Sequence, residues 1–76
     1  MILDLSYNHT DDEVLHQVAL IPMLTRFSSS YSESITIEGV KKLTQMPRLM
    51  FLDVIYCGLD EKTVRELFMP HVEIRT

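Results

Sequence analysis

Tyr7, Tyr31 and Tyr56 fall 24 and 25 residues apart. Each phenol offers a large rigid apolar area and a hydroxyl at low entropy cost, which suits recognition of another protein. The remaining reactive side chains form no comparable pattern. Cys57 could serve as a nucleophile, but its neighbours Tyr56 and Gly58 bring no base, and a buried thiol carries little thiolate. His9, His16 and His71 lack the partner spacing of a C-x-x-C or H-E-x-x-H site, so no metal is expected. Asp11, Asp12 and Glu13 could gather a cation, although acidic residues at the positive start of a helix explain them as well. The serine-rich stretch RFSSSYSES reads either as a phosphate acceptor beside Tyr31 or as a polar strand with its loop. No catalytic set and no cofactor are expected from these residues.

With 76 residues, a net charge of −4, 46% hydrophobic and 24% charged residues, the chain has the composition of one small globular domain. A domain of this size buries only about 60% of its unfolded surface, so a covering neighbour or partner would matter to its stability. The single cysteine forms no intrachain disulfide, which favours a reducing compartment; cytoplasmic is the expectation, with nucleus and mitochondrion open. Apolar runs such as VALIPML fall well short of the roughly 18 to 20 residues that span a bilayer, and no basic-then-apolar leader opens the chain. No membrane is expected as a partner. A sequence pI near 5.1 with scattered Lys and Arg also argues against nucleic acid.

The tyrosine spacing belongs to a longer repeat. LDLSYN, FSSSYS and LDVIYC align over residues 3 to 8, 27 to 32 and 52 to 57. Downstream, the apolar pairs Leu15/Val18, Val40/Leu43 and Val64/Leu67 align at the spacing of a helix face, once one extra residue in SESI of the second copy is allowed. IPML, MPRL and MPHV follow, where proline ends a helix and forces an extended approach to the next strand. Each copy thus alternates by two and then by three to four: strand, turn, helix. Helices are predicted at about 11 to 20, 36 to 45 and 60 to 68. Thr10 or Asp11, Thr36 and Asp60 are placed to accept a hydrogen bond from a first-turn N–H. The copies run over about 1 to 23, 24 to 48 and 49 to 71, and VEIRT could begin a fourth strand. Because the frame counted back from Leu3 starts just before Met1, a fragment, a short isoform or an end-docked chain is expected.

LMFLDVIYCGLDEKTVREL resembles a leucine-rich repeat of the cysteine-containing type, common in the substrate receptors of F-box ubiquitin ligases. LDLSYNHTDDEVLHQV is similar, with Asn8 at the cysteine position. The middle copy departs from the pattern, with Phe27, Ser29 and Ser32 at three of its marks. The resemblance implies an α/β fold, a short leucine-rich-repeat solenoid with a parallel concave sheet and convex helices. Parallel strands need crossovers, and one unit alone cannot bury its apolar face, so the physics leads to the same layers. Cys57 would then point inward to satisfy the backbone turn.

In that frame the concave face carries Ile2/Arg26/Phe51, Asp4/Ser28/Asp53, Ser6/Ser30/Ile55 and Tyr7/Tyr31/Tyr56. Two readings of the tyrosines stay open: they bind a partner, or they stack and cover the strand ends. The function the resemblance implies is non-catalytic protein binding, as substrate recognition or adaptor in a ubiquitin-ligase complex, although the adaptor-binding helices of an F-box are not visible. Similar repeats occur in short assembly or coupling factors of mitochondrial respiratory or ATP-synthase complexes, but no Arg-rich, acid-poor leader supports that version. A small enzyme using Cys57 with a histidine is the alternative of a different class, and a functionless truncated product is a further one. Open solenoid ends would also invite end-on self-association.

Overall fold

The computed structural model describes residues 1–68 and 71–76. Alternation by two builds four short strands, β1 (Ile2–Asp4), β2 (Arg26–Ser28), β3 (Phe51–Asp53) and β4 (Glu73–Arg75), the last supplied by VEIRT. They form one parallel sheet in the order β1-β2-β3-β4. Between them lie α1 (Asp12–Val18), α2 (Ile37–Lys42) continued by a 3₁₀ turn over Leu43–Gln45, and α3 (Glu61–Phe68). A parallel pair cannot be joined by a tight turn, so each crossover carries a helix.

Register fixes the faces. Leu3, Phe27, Leu52 and Ile74 pair in one row, and the residues flanking them point the other way. Phe27 and Leu52 are fully buried against Leu15, Val40, Leu43 and Val64 from the helices, so the core lies between sheet and helices. The buried pair of α3 is Val64 and Phe68; Leu67, which the sequence pattern pairs with Val64, is half-buried. Positions i+3 and i+4 flank the same helix face, and in α3 it is the i+4 residue, Phe68, that is buried with Val64.

The helix starts differ in how they are closed. Asp11 Oδ1 accepts from the Val14 N–H at 3.0 Å. Asp60 Oδ2 accepts from the Thr63 hydroxyl at 2.6 Å and the Thr63 N–H at 3.0 Å, and these bonds, the hydroxyl first, hold its carboxyl below the ordinary value. Thr36 corrects an expectation: its side chain makes no cap. Its hydroxyl and N–H instead donate to Asp12 at 2.6 and 2.8 Å, so a carboxylate in the first turn of α1 closes the start of α2. Gly39 permits this. It is buried inside α2, and a Cβ there would collide with the Asp12 carboxylate.

Met46, just before Pro47, is extended at φ −75° and ψ 117°, as the residue before a proline must be. The third proline seam, Met69 and Pro70, lies outside the described residues. Ser29 occupies the inward position next to Leu5 and Val54 in register, fully buried, and its hydroxyl has no hydrogen-bond partner among the described residues. Its N–H donates to Asp53 O at 2.9 Å, so only the side chain is unpaired.

Two outcomes are expected. Ser29→Ala should raise unfolding free energy by about 1 kcal/mol, since it removes a buried hydroxyl without a partner; a loss in a urea titration would show that the hydroxyl is satisfied. Gly39→Ala should be about 1 kcal/mol less favourable in the native chain than in an Asp12→Gly background, where the carboxylate and the Cβ that the added methyl would strike are both gone. Equal effects in both backgrounds would remove Asp12 from the account.

Candidate functional site

The strand ends decide where the tyrosines go. Each chain leaves its strand through a turn in which Asp4 Oδ1 accepts from the Ser6 N–H at 2.9 Å and Asp53 Oδ1 accepts from the Ile55 N–H at 3.1 Å. The amide of Ser6 also holds the Asp4 carboxyl below the ordinary value. β2 has Ser28 at this place. There the equivalent amide, that of Ser30, donates to Ser6 Oγ at 3.2 Å, and the Ser30 hydroxyl donates to the same oxygen at 2.8 Å.

The next residue is a tyrosine in every case, and every one is left-handed: φ is 64° at Tyr7, 63° at Tyr31 and 56° at Tyr56. Gly58 follows in the third turn at 72°. A non-glycine residue in that region costs roughly 1 to 2 kcal/mol, so three in register form a distinct feature of the backbone. The amides of Tyr7 and Tyr31 reach across to Ser30 O at 3.0 Å and Ile55 O at 2.8 Å, which ties each turn to the neighbouring strand.

This backbone lines the rings up. Tyr7 and Tyr31 stack at 4.5 Å between centroids and 13° between planes; Tyr31 and Tyr56 lie 4.9 Å apart, tilted by 33°. Tyr7 and Tyr56 are 75% and 70% exposed, while Tyr31, covered on both faces, is 46% exposed. The neighbouring Tyr7 hydroxyl, then partial desolvation and nearby negative charge, raise the Tyr31 phenol above its ordinary value.

At the other end of the strands the guanidinium of Arg26 sits over the Phe51 ring, 4.5 Å from its centroid. Thr25, Met50 and Glu73 complete a shallow depression around this pair. Ile2 is strongly exposed in the same row, and Asp4, Ser28, Asp53 and Arg75 form the row beside it. Register thus puts Asp4, Arg26, Ser28, Phe51 and Asp53 opposite the core row of the sheet, while Ile55, Tyr7, Tyr31 and Tyr56 lie in the turns after the strands. Ser30 is 8% exposed and engaged with Ser6.

Cys57 faces inward, 3% exposed. Its thiol donates to Ser29 O at 3.1 Å and to Ile55 O at 3.6 Å. Asn8, at the aligned place, likewise donates to the carbonyl two residues back, Ser6 O, at 3.3 Å. Burial pushes the Cys57 thiol above its ordinary value, outweighing the opposing backbone of Ser32 and Tyr31. His9, His16 and His71 are all exposed, and His16 Nδ1 lies 3.4 Å from Lys42 Nζ. Among the described residues no group of three or more His, Cys, Asp or Glu side chains could hold a metal ion, and no helix is long and apolar enough to cross a membrane.

Sequence reasoning missed the left-handed turns and with them Glu33, Ile35 and Gly58, which line a depression beside Tyr31 and Tyr56. The signal was present in Tyr-Asn and Tyr-Cys-Gly, turn-forming pairs directly after a strand. A scan against models of known protein families found no match, and a search of curated proteins found none either.

Cys57 should react slowly with iodoacetamide in the folded chain and faster once urea unfolds it, because attack needs an accessible thiolate. Alkylation at equal rates in folded and unfolded chains, followed by mass spectrometry, would reopen the case for a reactive cysteine.

Proposed function

We propose that this chain is a non-catalytic protein-binding module, a short leucine-rich-repeat solenoid that offers the outward face of its sheet to another protein. The resemblance of its repeats to those of F-box substrate receptors makes a ubiquitin-ligase complex the proposed setting, in substrate recognition or as an adaptor. The observation that carries the binding reading is the ladder of three exposed tyrosines held in left-handed turns.

Magnitudes favour binding over stacking alone. Two ring contacts contribute about 0.5 to 1.5 kcal/mol each, roughly 1 to 3 kcal/mol together. Three left-handed tyrosines cost roughly 3 to 6 kcal/mol at 1 to 2 kcal/mol apiece. Glycine or asparagine would adopt the same turns at less cost. Stability by itself thus argues against tyrosine at these positions, and a strained, exposed aromatic row has the character of a recognition surface. Arg26 over Phe51 and the exposed Ile2 extend that surface towards the strand starts.

The test is affinity capture with the native chain and with a Tyr7→Asn/Tyr31→Asn/Tyr56→Asn variant, asparagine being chosen because it accepts the left-handed turn. Native circular dichroism for both is the control. Ligase-scaffold or substrate proteins should be held by the native chain and released by the variant, each tyrosine accounting for about fivefold in affinity, the equivalent of about 1 kcal/mol. The same proteins on both chains, or none on either, would defeat the reading.

A further inference from the structure

Tyr31 has both ring faces occupied, whereas Tyr56 ends the described stack with one face open and 70% of its surface exposed. Beside it lies an open depression of about 560 Å³ lined by Tyr31, Glu33, Ile35, Tyr56, Cys57 and Gly58. Ile35 and Cys57 lie at its base and are themselves buried. Gly58 lies in its lining with a left-handed backbone, φ 72°.

The charge at the rim is negative. Glu33 is exposed and forms no ion pair among the described residues. Asp53 is close enough for its charge to be felt at the Tyr31 phenol. Of the seven Lys and Arg, Lys41, Lys62 and Arg65 pair with Glu38, Glu66 and Glu61 on the helices and Arg26 lies on Phe51. Arg75 is aligned with Asp53 but makes no ion pair among the described residues.

An open tyrosine face beside an unpaired carboxylate suits one kind of group: a planar cation. We infer that this depression takes an arginine side chain of the bound protein, its guanidinium on the free face of Tyr56 and its N–H donors towards Glu33. This deepens, and rests on, the reading of the tyrosine face as a protein-binding surface. A lysine would gain the charge but not the stacking, because only the guanidinium is flat.

The site can be tested without any protein partner, by titrating the native chain with N-acetyl-arginine-methylamide and following the Gly58 amide and the Tyr56 ring by NMR. The citrulline analogue, equal in shape and uncharged, is the control. Saturable shifts are expected, with arginine bound about three to five times more tightly than citrulline. Glu33→Gln should reduce this preference about threefold, and Tyr56→Asn, which accepts the left-handed turn, should abolish it. Equal response to both probes, or response to neither, would overturn the arginine site. Protein capture through the tyrosines without an arginine response would defeat this inference and leave the binding function standing. An arginine response without capture would support the site while removing that function.

Discussion

Everything on the outward face depends on the parallel register of the four strands. Ile2 lies beside Arg26, Arg26 beside Phe51 and Phe51 beside Glu73, so each helical crossover returns the chain to the same level. A slip of one residue in β2 or β3 would send Phe27 or Leu52 to solvent and bring a polar or charged neighbour into the core. With those two side chains fully buried, the hydrophobic cost of a slip is of the order of 2 to 3 kcal/mol for each. That cost locks the register, and the register in turn brings Tyr7, Tyr31 and Tyr56 to one height, where rings can meet.

Positive φ at the tyrosines is a consequence of how the turns are closed. In the first and third turns an aspartate on the outward face ties down the amide two residues later, and the chain must reverse sharply to deliver the following helix. Asp4 and Asp53 therefore serve the turn with one carboxylate oxygen each and still place negative charge on the face. The middle turn lacks that aspartate and borrows Ser6 Oγ from its neighbour, which explains why Ser30 is buried. The same borrowing links the helices, since Asp12 of α1 closes the start of α2. Neighbouring units are coupled by polar side chains as well as by the sheet, so the loss of one layer would expose hydrogen-bonding groups in the next.

Strand and helix alternation, the 24- and 25-residue spacing and the inward Phe27 and Leu52 were legible because hydrophobic period alone determines them. Asp11 and Asp60 were legible as caps, since a cap needs only its own helix. Thr36 was not. Its bond goes to Asp12, 24 residues earlier, and a contact across two helices leaves no mark in local sequence. The left-handed conformation of the tyrosines was hidden for a related reason: propensity assigns such turns to glycine or asparagine, and here those residues sit one or two places later, as Asn8 and Gly58. The depression beside Tyr56 escaped because Glu33 and Ile35 belong to the loop after β2 and Tyr56 to the turn after β3.

The middle unit holds the tyrosine row together although serine occupies two of its buried sites. Its strand and turn carry a buried Ser29 where the flanking units place Leu5 and Val54, and a buried Ser32 where they place Asn8 and Cys57. Replacing an aliphatic side chain by serine forfeits about 1 to 2 kcal/mol of apolar burial, and the unpaired Ser29 hydroxyl adds to that deficit. Yet Tyr31 is the one ring that touches both of the others, so both stacking contacts depend on this layer. A local opening of β2 would break both contacts at once and free the Tyr7 and Tyr56 rings to turn independently. A partner gripping all three rings, as proposed, would oppose that opening and add stability in proportion to its affinity. Tyr31 would then be the residue through which binding and the order of the middle unit are coupled.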